Sequence, residues 1–171
     1  MSELADLISD LEQGHAGDPW HGPSRAAVLA DVTAAEAAWR PPGGAHSIWE
    51  LVLHMGGWSG EVASRLRGSA PKLPSAGDWP AVPSRATDTE WKHALRALDD
   101  AHRALVGAIR ELNPDLLGAP VATARDAPLG SGVTHAAMLR GVAQHDAYHT
   151  GQIVIIKKLF RGDLQEVAPA P

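Results

Sequence analysis

Two histidines four residues apart, His145 and His149 in the string GVAQHDAYHTGQIVIIKKL, and a third far upstream, His54 in LVLHMGGW, carry the clearest chemistry in this chain. On a helix, positions i and i+4 lie on one face, a turn apart. Two imidazoles so placed can share one metal ion. A third from a facing helix would complete a facial three-nitrogen set with open positions, the pattern of a reactive rather than a structural site. The i,i+4 spacing by itself also suits a solvated or hydrogen-bonded pair. The flanks favour a ligand set: Ala143, Ala147 and Tyr148 surround the pair and a strongly apolar segment follows. Buried imidazoles without partners are costly, and a metal supplies the partner. His54 sits among Leu51, Val52, Leu53 and Met55 and reads as inward-facing. All-histidine coordination suits zinc, nickel, iron or copper without choosing among them.

A rival motif shares these residues. His145-Asp146-Ala147-Tyr148-His149 has the H-E-x-x-H spacing of metalloproteases with Asp in place of Glu. Asp is one methylene shorter, and Glu166, in the expected tail, is the sole Glu that follows as a further ligand. The protease reading is therefore the weaker one. Tyr148 and Gln152 adjoin the ligand face and could donate to a substrate or brace a ligand. His46, Glu50 and His54 fall near one helical face, which puts His46 at a pocket mouth or in solvent. Trp49 and Trp58 flank His54 and suit the core or a pocket wall. His102 and His135 are expected to be structural, and His15, His21 and His93 to be surface residues.

Composition narrows the setting. The chain has 171 residues, enough for one domain with a real core, and 44% hydrophobic residues, which argues against global disorder. Its net charge of −5 and lack of a Lys/Arg cluster speak against a nucleic-acid partner. With no cysteine, disulfides, thiolate ligands and a cysteine nucleophile are excluded, and any thiol chemistry must use an external thiol. The start, MSELADLISDLEQ, is amphipathic and acidic rather than a signal segment, and no apolar run approaches the roughly 18 residues of a membrane span. A soluble cytoplasmic protein is the expectation.

The elements that must position the histidines follow from periodicity and capping. Leu4, Leu7, Ile8 and Leu11 predict a helix over 2–14, with Ser2 as N-cap and Gly14 as stop. Ser24 can cap a short helix, and a second short piece covers 33–39. Ser47 with Glu50 three residues on forms a capping-box pattern opening a helix over 48–67. Gly56, Gly57 and Gly60 inside it suggest close approach of another helix or a ligand. The Pro-, Gly- and Ser-rich stretch 68–83 reads as a crossover loop. A long helix follows over 86–112, with Trp91, Leu95, Leu98, His102, Leu105 and Ile109 on one stripe, ended by Asn113-Pro114. Residues 114–131 read as loop with a single turn, and the last helix covers 132–160, with a frayed tail from 163 to 171. Four amphipathic helices with long crossings predict a single all-α domain over 1–171, a four-helix bundle, an architecture that holds metal sites between facing helices.

HSIWELVLHMGGW followed by HDAYHTGQI resembles the DinB/YfiT-like superfamily. The stretch PWHGPSRAAVLADVTAAEAAWRPPGGAHSIWELVLH, the DWP of the crossover and RELNPDLL at the end of the third long helix resemble it too, so the likeness runs over about 2–160. The resemblance implies a four-helix bundle with a metal held by three histidines; matched by motif, these are His54, His145 and His149. It also implies a homodimer, and relatives that include bacillithiol- or mycothiol-using S-transferases and a mycothiol-dependent maleylpyruvate isomerase. Three functions stay open. One is a metal-dependent transferase joining a low-molecular-weight thiol to an electrophilic small molecule, the metal (zinc, nickel or iron) favouring the thiolate. The second is metal-dependent hydrolysis. The third is a non-enzymatic metal-binding stress protein.

Overall fold

Capping chemistry sets where the helices of this chain begin, as the computed structural model, which describes residues 2–122 and 132–162, makes visible. The elements are α1 (Glu3–Ala16), α2 (Arg25–Leu29), α3 (Ala34–Ala38), α4 (Ile48–Leu66), α5 (Asp88–Glu111), a 3-10 turn (Pro114–Leu116) and α6 (His135–Arg161). The four long helices are those the periodicity predicts. Among the described residues there is no strand, only an isolated bridge between Pro120 and Thr134. The expected capping box closes in full: the Ser47 hydroxyl accepts from the Glu50 N–H and the Glu50 carboxylate accepts from the Ser47 N–H. Thr87 and Thr134 cap α5 and α6 with their hydroxyls, each accepting from one backbone N–H without the reciprocal bond. Two expectations about helix ends fail. Gly14 does not stop α1, which runs on to Ala16 with Gly17 at its cap, because one glycine costs a helix interior only about 1 kcal/mol. Ser24 occupies the N-cap position of α2, but its side chain makes no capping bond. The expected frayed tail, 163–171, and residues 123–131 of the expected loop lie outside the described residues.

Packing follows from the apolar stripes. Helix α4 packs against both α5 and α6, and α1 lies across α5 and α6. The short α2 touches α1 and α6, and α3 touches α4 and α5. Two apolar clusters result. One gathers Ile48, Trp49, Val52, Met55, Trp91, Leu98, Ile153 and Ile156. The other gathers Leu7, Leu11, Val62, Leu105, Ile109, Leu139 and Val142. Burying each large side chain of this kind contributes roughly 1.5–3 kcal/mol. On every long helix of the bundle a polar interval bounds or divides the apolar stripe: after Leu11 on α1, between Met55 and Val62 on α4, between Leu98 and Leu105 on α5, and between Val142 and Ile153 on α6. His15, His54 with Ser59, His102, and His145 with His149 lie in or at the edge of those intervals.

The glycines of α4 divide by role. A Cβ on Gly56 would lie 3.6 Å from the Leu98 Cα, and one on Gly57 only 3.2 Å from the Pro74 Cβ. Gly56 thus meets α5 and Gly57 meets the crossover loop, as the close-approach reading expects. Gly60 has nothing within 4 Å and does not fit it. At the far end of α6, Arg161 bonds Asp31 and Glu36 and Lys157 bonds Asp31, which ties α2 and α3 onto the bundle. These bonds, that from Lys157 first, hold the Asp31 carboxyl well below the usual carboxylate range. No helix among the described residues is long and apolar enough to cross a membrane.

Candidate metal centre

The apolar face of α4 carries His54 inward, where it is buried. Its Nδ1–H donates to the Asp78 backbone carbonyl at 2.6 Å, and a carbonyl can only accept, so the ring proton sits on Nδ1. The Asp78 carboxylate lies 3.3 Å from the same nitrogen and also accepts from Trp58 Nε1 at 2.8 Å. Trp79 stacks on the His54 ring, centroids 4.0 Å apart and planes 7° apart. The crossover loop therefore grips the outer edge and one face of this imidazole.

His145 and His149 project from α6 onto the same spot, one turn apart. The ring of His145 is 4.4 Å from that of His149 and 4.9 Å from that of His54. His149 Nδ1 donates to Gln152 Oε1 at 2.6 Å, an i,i+3 bond within α6. His145 Nδ1 and Asp146 Oδ1 are both buried with no hydrogen-bond partner among the described residues, and they face each other at 3.6 Å. Burial lowers the pKa of His54, only partly offset by the bond to Asp78. It lowers that of His149 to about 4, partly offset by Gln152. Both rings are neutral at neutral pH, the form that binds metal.

Whether a metal fits is a question of lone pairs. The outer nitrogen of each ring faces an acceptor: the Asp78 carbonyl, Gln152 Oε1 or the Asp146 carboxylate. Protons on the Nδ1 atoms of His54 and His149 leave Nε2 of those two rings as a bare lone pair. His54 Nε2 and His145 Nε2 stand 2.9 Å apart: a hydrogen bond joins them when His145 carries its proton on Nε2, and two lone pairs that a cation can bridge face each other when it carries it on Nδ1. One ligand atom from each of the three residues lies within 4.8 Å of the others, close to the ~4 Å that two metal–nitrogen bonds span. The outer acceptors match the carbonyl or carboxylate that ligating histidines commonly bond with their second nitrogen. The three histidines could hold a divalent cation, and the donor set fits zinc, nickel or iron without selecting one.

The other expected residues fall on several sides of this centre. Gln152 braces His149, while Tyr148 is 65% exposed with its ring edge-on to His149. His46 does reach the pocket mouth: it stacks on the outer face of Trp79 at 3.5 Å, so the indole is sandwiched between His46 and His54. Trp49 is core, tilted against Trp91, and Trp58 stands edge-on to His54. His135 bonds the Ala119 carbonyl, a structural role as expected. His21 and His93 are exposed as expected. His15 is not a surface residue: its side chain is 19% exposed, stacks on buried His102 at 3.9 Å and bonds Arg25. Burial, first, and the charge of Arg25 lower its pKa; burial and His15 bring that of His102 to about 4. Asp146 does not stand as a protease-type acid, because buried Arg25 bonds its carboxylate on the side of α6 away from Gln152.

Asp78, Trp79 and Arg25 are absent from the sequence-based site. Asp78 and Trp79 sit in a loop with no periodicity, and their only signal was the DWP string amid Pro, Gly and Ser. Nothing local in the sequence marks Arg25, whose partner Asp146 lies 121 residues away. Beside the histidines a cavity of about 750 Å³ opens between Pro41–Pro42, Trp79 and the outer face of α6. No curated protein and no solved structure matches the chain. The sequence pattern of the DinB superfamily does, over residues 25–153, a span that runs from buried Arg25 through all three converging histidines. An all-helical bundle whose facing helices bring His54, His145 and His149 together agrees with that match, and the chain belongs to the DinB superfamily.

Proposed function

We propose that this protein is a metal-dependent transferase that joins a low-molecular-weight thiol, of the bacillithiol or mycothiol kind, to an electrophilic small molecule. The observation that carries this reading is the convergence of one ligand atom from each of three imidazoles within 4.8 Å, two of the rings, His54 and His149, being held from outside at Nδ1. A divalent cation (zinc, nickel or iron) held by His54, His145 and His149 would supply the positive charge that favours thiolate over thiol. The chain has no cysteine, so the thiol comes from outside. Asp78 and Gln152 fix the rings of His54 and His149, and Trp79 shields one face of His54 from water. Tyr148, whose ring stands edge-on to His149, would donate a hydrogen bond from its hydroxyl to the substrate. The sulfur–carbon bond forms as the bond from carbon to the leaving group breaks; that group takes the electron pair and the thiol proton passes to solvent.

The test is turnover of an electrophile by metal-loaded protein with and without bacillithiol or mycothiol. Thiol-dependent turnover supports the reading. Turnover without thiol would point to hydrolysis, and none with any electrophile to a binding role. The same reading places the protein in the reducing cytoplasm and as a two-fold dimer, the commonest soluble assembly. Sedimentation of nothing but an 18 kDa species at micromolar concentration would overturn the dimer.

A further inference from the structure

The cavity beside the histidines has a chemical character of its own. One end is closed by His149 and by the His46–Trp79 stack. From there it runs along the outer face of α6 past Gln152 to Ile155 and Leu159, opposite Pro41 and Pro42. Ten residues of helix separate His149 from Leu159, about 15 Å at 1.5 Å per residue. The volume is about 750 Å³, and among the described residues no Asp, Glu, Lys or Arg lines it. Its polar side chains lie at the histidine end, apart from Gln152, whose Oε1 is engaged with His149. Ile155 is 52% exposed and Leu159 38%.

We infer that this groove is the binding site for the electrophile, and that the electrophile has a neutral, predominantly apolar body, aryl or alkyl, with its reactive carbon at the His149–Trp79 end. This rests on the transferase reading above and adds the acceptor's class to it. A charged body would lose hydration in the groove with no counter-charge to replace it, a loss of several kcal/mol for an ion without a partner. An apolar body would gain by covering Ile155, Leu159 and the prolines, and the edge of Trp79, whose faces are taken by His46 and His54, suits an aromatic ring edge-on. A thiol carrying carboxylates or sugar hydroxyls finds no matching groups here, so its polar part must lie outside this groove. The groove ends on His149, one of the three converging histidines, which favours a small molecule over a second copy of the chain as its occupant.

Binding to the intact metal-loaded protein is measured by calorimetry without any thiol, using 2-naphthylmethanol and its charged counterparts 2-naphthylacetate and 2-naphthylmethylammonium. The neutral probe is expected to bind at least about tenfold more tightly than either ion, a difference of about 1.4 kcal/mol. Ile155→Asp and Leu159→Asp, both at exposed positions, should each weaken the neutral probe by about tenfold or more and leave metal content unchanged. Equal or tighter binding of an ion, or neutral binding unaltered in both variants, overturns the inference. So does a dimer that Ile155→Asp converts to monomer with probe binding intact, which would make the groove an interface between copies. If the neutral preference holds but no thiol-dependent turnover is found, the transferase reading falls and the groove stands. If thiol-dependent turnover takes charged and neutral electrophiles alike, the groove assignment falls and the transferase reading stands.

Discussion

At the scale of single residues, the centre is defined by which nitrogen of each imidazole is spoken for. His54 and His149 give their outer nitrogens to Asp78 and Gln152, and His145 faces Asp146. Replacing any of the three histidines by Ala should abolish most divalent-metal content, since two ligands hold an ion far more weakly than three, whereas His93→Ala, at an exposed position, should not. Gln152→Ala and Asp146→Ala should keep the ligands and weaken metal affinity by about 10–100-fold, the usual effect of removing an outer partner. Elemental analysis of purified variants and a chelator titration measure both effects. Full occupancy in His54→Ala would remove that residue from the site.

At the scale of elements, the crossover loop and α4 act as a pair. Gly57 lets Pro74 approach, and the same loop four residues on delivers Asp78 and Trp79 to His54. Gly57→Ala must push that loop out by a few tenths of an ångström, so metal affinity should fall while helix stability changes little. Gly60→Ala meets nothing within 4 Å and should raise stability by up to about 1 kcal/mol from helix propensity, with metal affinity unchanged. Paired denaturation and chelator titrations separate the two. If both glycines behave alike, the loop is not what holds His54.

At the scale of the whole molecule, the polar interval makes stability depend on pH. The His102 and His149 pKa values are about 4 in the fold, chiefly through burial, against about 6.5 in an unfolded chain. Between those values the unfolded state binds more protons, so stability is complete above about 6.5 and falls as pH drops towards about 4. Metal binding joins α4 to α6 and competes with protons for the same nitrogens. Thermal melting with and without chelator should show a metal increment at neutral pH that shrinks on acidification, on top of a chelator-independent fall from His102. A metal increment that ignores pH would contradict a three-histidine site.

The sequence by itself determined the four long helices, because their apolar stripes and caps are local: Ser47 with Glu50, Thr87 and Thr134 each bond within a few residues. It also singled out His54, His145 and His149, since an i,i+4 pair shows its shared face without a fold and His54 lies in a helix whose inward stripe is legible. The i,i+3 bond that makes Gln152 a brace was within reach for the same reason. Only the tertiary structure decided what surrounds those rings. Asp78 and Trp79 come from an aperiodic loop, where no repeat betrays which side chain points inward. Arg25 and Asp146 are 121 residues apart and meet because α2 folds against α6. His15 read as a surface residue because α1 looked finished at Gly14; one more half-turn carries it against His102. Helix periodicity is a property of neighbours in the chain, whereas the partners of a buried charge or imidazole depend on how separate helices pack.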